Sequence, residues 1–263
     1  RDRRLGHRRA GRGAQRLAAR AARADCLGWV RRLDRAGYSV PKLALPLGSI
    51  VGGSDNRSRD FRCLVLASVR AMPVGILLAA GKGRRFGGDK RLHPLADGTP
   101  MVVAAARALS AALPRTLAVV READEVAQRL AREGVEVICC PAAAGGMGHS
   151  IACGVAASAE ADGWLIALGD MPWVRPESIA AVAAALHQGA PVARPIYAGQ
   201  CGHPVGFGAA FGQGLQRLEG DQGARHLLRS APITEVPCPD PGVIWDIDQP
   251  QDLQLISLSG QRR

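Results

Sequence analysis

No apolar run in this sequence approaches the roughly 20 residues that a membrane-crossing helix needs, so a helical membrane span is excluded. The seven cysteines (Cys26, Cys63, Cys139, Cys140, Cys153, Cys201 and Cys238) contain no C-x-x-C pair, the spacing that zinc ribbons and dithiol redox centres use. Cys139 and Cys140 adjoin each other after an apolar run, where buried thiols are expected, and the cysteine pattern reads as that of a reduced, cytoplasmic protein. Most of the chain also lacks net charge. The formal charge is +11, but residues 1–71 hold 17 basic and 5 acidic side chains, whereas residues 72–263 hold 17 basic and 18 acidic. The basic charge that would draw the chain to nucleic acid is confined to the front segment, and the rest is not expected to engage nucleic acid.

What is present divides at about Met72. Residues 1–71 are Arg-rich and Gly/Ala-rich without a sustained amphipathic period. Ala14 to Leu33 can form a basic helix with Leu17, Ala21 and Ala24 on one side. A nucleic-acid arm, a transit-like peptide and the remnant of a fused domain are the functional readings. The expectation is instead an upstream extension, disordered or foreign to the working protein, because such a composition cannot bury enough apolar surface to fold. Residues 72–263 then form the working domain.

From Met72 onward, short apolar runs alternate with helical patterns, which predicts an α/β fold: a Rossmann-like three-layer sandwich with a mostly parallel, mixed sheet. Expected strands are Val74 to Ala80, Thr116 to Val120, Val135 to Cys139, Trp164 to Leu168, Pro191 to Pro195 and Val243 to Asp248. Expected helices are Met101 to Leu113, Ala123 to Glu133, Ser150 to Glu160, Pro176 to His187, Ala224 to Ser230 and Pro250 to Leu258.

The first strand opens into Gly81, Gly83, Gly87 and Gly88 interleaved with Lys82, Arg84, Arg85 and Lys90. Glycines let backbone N–H groups approach phosphate oxygens, and four cations within nine residues suit a triphosphate better than a pyrophosphate. Asp170, in Gly169-Asp170-Met171-Pro172, follows an expected strand. Ligands of open α/β sheets sit outside the carboxyl ends of their strands, so Asp170 is placed to hold a metal carrying phosphates or, more simply, to form a turn. Asp246 and Asp248 alternate on the last expected strand and would point to one side, where either can join Asp170. Ser150, in Gly145 to Ile151, can cap a helix or face a ligand. His203-Pro204 lies in a glycine-rich hairpin that walls a pocket. Asp221 can cap the helix that Arg225 opens, and Arg225 is either a surface charge or an anion ligand.

These stretches together resemble the nucleotidyltransferases that include the molybdenum-cofactor guanylyl- and cytidylyltransferases. The pattern L-A-A-G-x-G-x-R-x-G-x-x-K is filled by Leu78, Ala79, Ala80, Gly81, Gly83, Arg85, Gly87 and Lys90. G-M-x-x-S-I is matched by Met147, Ser150 and Ile151, and the Asp-Met-Pro run by Asp170 to Pro172. R-P-x-Y-x-G-x-x-G-H-P-V-G-F spans Arg194 to Phe207, and it resembles the cytidylyl branch. G-D-x-G-A-R is met by Gly220 to Arg225, and D-[IV]-D-x-P-x-D-L by Asp246, Ile247, Asp248, Pro250, Asp252 and Leu253.

The resemblance covers about Val74 to Leu253 and implies the nucleotide-diphospho-sugar transferase type of fold. It implies transfer of CMP from CTP to the phosphate of molybdenum-loaded molybdopterin, with Mg²⁺ as the metal. Arg85, Lys90 and Asp170 are then the catalytic residues. Leu78, Ala79, Ala80, Gly81, Gly83, Arg85, Lys90, Met147 and Ser150 bind nucleotide. His203, Pro204 and Arg225 bind the acceptor, and Asp170 and Asp248 bind metal. An apo-enzyme of the xanthine dehydrogenase type, or its accessory factor, is the implied protein partner. Residues 31–53 faintly resemble the C-terminal part of such accessory factors. The alternatives are a guanylyl or other nucleotidyltransferase with a different phosphorylated acceptor, and a non-catalytic cofactor chaperone.

Overall fold

Val74–Leu78 form β1, whose first four residues are buried, at the centre of the sheet. The computed structural model describes residues 72–81, 83 and 86–253. The expectations for residues 1–71, for Lys82, Arg84 and Arg85, and for the chain beyond Leu253 lie outside the described residues. Among the described residues, no helix is long and apolar enough to cross a membrane.

The strands that follow are β2 (Thr116–Val120), β3 (Glu136–Cys139), β4 (Gly163–Leu168), β5 (Val192–Tyr197), β6 (Gln200–Cys201), β7 (Val205–Gly208) and β8 (Ile233–Pro237). Their order across the sheet is β3-β2-β1-β4-β7-β5-β6, with β8 alongside β5. β3, β2, β1 and β4 run parallel, as do β5 and β8. β7 is antiparallel to both neighbours, and β5–β6 is a hairpin turning through Ala198 and Gly199, both at positive φ. The sheet is therefore mixed and mostly parallel in its first half, as expected.

Period-two alternation on β1 shows how the layers form. A side chain at Gly75 would run into Leu109 of α1 (Met101–Ala112) and Leu113, the residue that ends it. The next residue, Ile76, lies under Gly154 of α3 (Met147–Ala156), where a Cβ would come 2.7 Å from the Ile76 Cγ2. Adjacent residues thus meet helices on opposite faces. α1 packs against α4 (Pro176–His187) on one face, and α3 against α5 (Gly212–Gln216) on the other. α2 (Glu125–Arg132), capped by the Asp124 side chain on the Ala127 N–H, lies against α1, and α6 (Arg225–Arg229) follows α5 in the chain. The core on the α3 face joins Ile76, Leu117, Val119, Ile151, Val155, Trp164, Ile166, Phe207 and Leu215.

Three expectations are corrected. Val243 to Asp248 is not a strand. Asp240 accepts from the Gly242 N–H and Pro241 follows it, which together start a 3-10 turn over Pro241–Ile244, so these residues give no ladder hydrogen bonds. Ser150 does not begin its helix, because α3 starts three residues earlier at Met147 and ends at Ala156. Cys140 is not a free thiol: it is joined to Cys153 in a disulfide, while Cys139 is exposed. The strand β8 escaped the sequence reading because it has no fully buried residue and so no continuous apolar run.

Candidate active site

The side chain of Asp89 accepts from the Arg91 N–H and caps a single 3-10 turn, Lys90–Leu92. That turn carries Lys90 inward until only 8% of it is exposed. Its Nζ donates to Asp170 Oδ2 at 2.7 Å, to the Ile247 carbonyl at 2.8 Å and to Asp248 Oδ1 at 3.2 Å. Burial alone would lower the Lys90 pKa, but the charge and hydrogen bond of Asp170, then those of Asp248, outweigh it and raise the pKa above the ordinary lysine value. The ammonium is therefore charged across the physiological range.

The backbone fixes this meeting. Gly169 N–H donates to the Leu78 carbonyl at 3.0 Å, which ties the ends of β1 and β4 together. Ile247 N–H donates to the Asp170 carbonyl at 3.0 Å, so the 246–248 segment runs beside the Asp170 turn. Asp252 accepts from the Asp248 and Gln249 N–H groups, a cap for the helical residues 250–253. β1 has β2 on one side and β4 on the other, so the connections from these strands diverge here, at the switch point where such sheets open a crevice.

The glycine loop leaves β1 directly above this triad. Ala79 and Ala80 are buried, and Gly81 is exposed with open space around it. Gly83 has φ +57°, and a Cβ there would stand 2.7 Å from Lys90 Cγ, so both conformation and contact require glycine. Arg85, expected among the phosphate ligands, lies outside the described residues.

Sequence reasoning missed Arg91, the neighbour of Lys90. It is 5% exposed, and it donates to Asp89 through Nε and Nη2, to Asp124 through Nη2, and to the Ala79 carbonyl through Nη1 at 2.8 Å. It fastens the start of the glycine loop to the cap of α2. No periodicity marks an arginine of this kind, because its partners come from three separate turns.

The loop before α3 forms a second wall. Gly146 has φ +126°, and a Cβ would fall 2.4 Å from Gly220 O and from Asp221 Oδ1. Gly148 N–H donates to the Gly220 carbonyl at 2.8 Å, and Gly220 N–H donates to His149 Nδ1 at 3.2 Å. The loop is thus pressed against the 219–221 turn. Met147 is 43% exposed, with its sulfur beside Gly223, whereas Ser150 is buried inside α3. The Cys140–Cys153 disulfide ties the end of β3 to the middle of α3.

His203 stands across the crevice, joined to Pro204 by a cis peptide bond, with its N–H on the Val243 carbonyl at 2.8 Å. Burial pushes its imidazole below the ordinary histidine pKa, while the Ile166 backbone and the charges of Asp170 and Asp246 pull the other way. Its Nδ1 is buried without a hydrogen-bond partner of good geometry. The structure thus brings Lys90, Asp170, Asp248 and His203 to one crevice. Arg225 is exposed at the start of α6.

Two carboxylate oxygens already converge on one cationic nitrogen, and hard oxygen donors of this kind are the chemistry that suits Mg²⁺. Among the described residues, no group of three His, Cys, Asp or Glu side chains is arranged to hold a metal alone. An ion held by Asp170 and Asp248 would complete its shell with substrate phosphates and water, as Mg²⁺ commonly does.

Comparison with known proteins agrees with this architecture. The model of the MobA-like NTP transferase domain matches residues 75–236. The chain is 29% identical over 196 residues to the purine catabolism protein PucB of Bacillus subtilis, covering 70% of this chain and 95% of PucB. Rv0371c from Mycobacterium tuberculosis superposes with a TM-score of 0.62 and 26% identity, over 71% of this chain and 98% of Rv0371c. The same protein, solved as a complex with manganese, superposes at 0.57 with 25% identity, over 72% and 99% of the two chains. The fold is also that of the molybdopterin-guanine dinucleotide biosynthesis protein A of Archaeoglobus fulgidus, at a TM-score of 0.57 and 19% identity over 72% of this chain and 100% of that one. With the family match spanning more than half of its length, the chain belongs to the MobA-like NTP transferase domain family.

Proposed function

We propose that this NTP transferase moves CMP from CTP onto the terminal phosphate of molybdenum-loaded molybdopterin, giving the cytosine dinucleotide cofactor and pyrophosphate. The observation that carries the reading is the Lys90 ammonium held between Asp170 and Asp248 where β1 and β4 end. A terminal phosphate oxygen of the acceptor attacks the α-phosphorus of the triphosphate. The bond from that phosphorus to the bridging oxygen breaks, and pyrophosphate leaves with the electron pair. The nucleophile is already an anion, so no strong general base is required, and His203 serves in binding. The difficulty is assembling two polyanions, which calls for positioning and fixed positive charge.

In this reading Gly81 and Gly83 admit the triphosphate to backbone N–H groups, with Arg85 and Lys90 neutralising it. Leu78, Ala79 and Ala80 form the floor, and Met147 and Ser150 belong to the nucleoside side. His203 and Pro204 line the acceptor side, with Arg225 at its margin. Asp170 and Asp248 hold Mg²⁺, which supplies charge neutralisation at the reacting phosphates. Residues 72–263 constitute the catalytic domain. PucB is named for purine catabolism, and xanthine is a purine, which supports a xanthine dehydrogenase-type apo-enzyme as recipient. Cytosine is preferred over guanine on the resemblance of Arg194 to Phe207 to the cytidylyl branch.

The test is pyrophosphate release by the full chain with Mg²⁺, molybdenum-loaded molybdopterin, and CTP or GTP in parallel. Release with CTP alone is expected. Release with GTP alone would move the protein to guanylyl transfer, and silence with both, from folded protein, would overturn the acceptor.

A further inference from the structure

Two tryptophans flank the Lys90 triad, and nothing in the proposed chemistry uses them. Trp173 lies three residues beyond Asp170, and Trp245 three residues before Asp248. The segments that carry them are joined by the Ile247 N–H on the Asp170 carbonyl. They are also packed directly together, since a Cβ on Gly242 would fall 2.1 Å from the Trp173 carbonyl oxygen. The two indoles meet edge to face, with centroids 6.5 Å apart and planes at 86°. Both remain partly exposed, unlike Trp164, which is 2% exposed in the core. A perpendicular pair of this kind is an open corner: one ring offers a face for stacking, and the other closes the side. Asp246, next to Trp245, is exposed.

The corner lies on the acceptor side of the triad. The turn that leads to Trp245 packs on β5 and β6, near His203, whose N–H reaches Val243. The glycine loop follows β1, and the Met147 loop follows β3, on the opposite side of β4 in the strand order. A flat ring stacked in the corner of Trp173 and Trp245 therefore belongs to the acceptor and not to the nucleotide.

We propose that Trp173 and Trp245 form an aromatic seat for the acceptor, which selects acceptors whose phosphate is carried by a flat, nitrogen-rich heterocycle. The proposal rests on the nucleotidyl-transfer reading of the same crevice and adds the part of the acceptor remote from the reacting phosphate. Stacking on an aromatic side chain is strong enough to be read as a change of tenfold or more in affinity.

The experiment uses the full chain and free pterin, which has the ring but no phosphate, followed by intrinsic fluorescence. Saturable quenching is expected for the wild type, with at least tenfold weaker binding in Trp245→Leu and Trp173→Leu, and near-normal binding in Trp245→Phe. With the complete acceptor, the same leucine variants should show a KM for the acceptor raised tenfold or more and an unchanged KM for the triphosphate. Absence of quenching, or a raised KM for the triphosphate with the acceptor KM unchanged, would overturn the aromatic seat. A wild type that gives no pyrophosphate with molybdopterin, while pterin still quenches in a Trp245-dependent way, would overturn the molybdopterin reading and leave the seat standing.

Discussion

Replacing Lys90 with Met keeps an unbranched side chain, one heavy atom shorter, and removes its charge, which isolates what the ammonium contributes. Three partners lose their donor. The contact with Asp170 is a charge-assisted bond between a lysine side chain 10% exposed and a carboxylate 26% exposed, and such bonds contribute about 1.5–3 kcal/mol. The Asp248 side chain is 48% exposed, so water screens it and its share is at most about 1 kcal/mol. The Ile247 carbonyl, bonded to Lys90 within the interior, adds about 1 kcal/mol. Against these stands the cost of desolvating the ammonium, which methionine does not bear, so a net loss of about 2–3 kcal/mol is expected. At a typical slope near 2 kcal/mol per molar, the urea midpoint should fall by about 1 M.

The same variant removes the cation that Asp170 and Asp248 share. Millimolar Mg²⁺ should therefore restore stability to Lys90→Met more than it stabilises the wild type. A tenfold gain in metal affinity corresponds to about 1.4 kcal/mol at saturation. Pyrophosphate release should drop by about a hundredfold or more even when Mg²⁺ has restored the fold, because a preorganised positive charge is lost. An unchanged urea midpoint, or equal stabilisation of both proteins by Mg²⁺, would refute the reasoning that lysine and metal share the Asp170–Asp248 pair.

Asp170→Asn removes half of the carboxylate pair, and turnover in Mg²⁺ should fall by about a hundredfold; near-normal metal-dependent activity would remove Asp170 from the metal site. Arg91→Met leaves Asp89, Asp124 and the Ala79 carbonyl without their shared donor and should cost about 3–5 kcal/mol in urea unfolding, more than any exposed arginine on the sheet. Gly83→Ala combines an unfavourable positive φ with a contact on Lys90; a loss of about 1 kcal/mol and a raised KM for the triphosphate are expected in steady-state kinetics. Burial lowers the His203 pKa in the folded state, so the unfolded chain binds the extra proton first. Stability is then full above about pH 6.5 and declines as pH falls toward the lowered folded value, and His203→Gln should flatten that decline in urea titrations.

The chain's local chemistry was legible wherever one short stretch carried its own cause. Thr116–Val120 and Pro176–His187 could be bounded to the residue, because an unbroken apolar run between turns and a proline at a helix start act locally. The glycine loop, the Asp170 turn and the His203 hairpin were visible for the same reason. Val243 to Asp248 misled, since its alternating pattern suits a strand, yet the Asp240 cap and Pro241 bend the backbone first. Ser150 misled in a similar way: a residue type favoured at helix starts sits inside α3, and Gly146 takes the turn instead.

By itself, then, the sequence determined the alternation of strands and helices and the position of the glycine-rich loop, and it singled out Lys90, Asp170 and the Asp246–Asp248 pair as candidates for its chemistry. Only the tertiary structure decided that Lys90, Asp170 and Asp248 meet at one nitrogen, because residues 80 and 158 positions apart are joined by strand order and not by spacing. It also decided the burial of Arg91, the Cys140–Cys153 link and the Trp173–Trp245 corner. Each of these depends on partners from separate turns, and contacts of that kind leave no period in a chain for a reader to find.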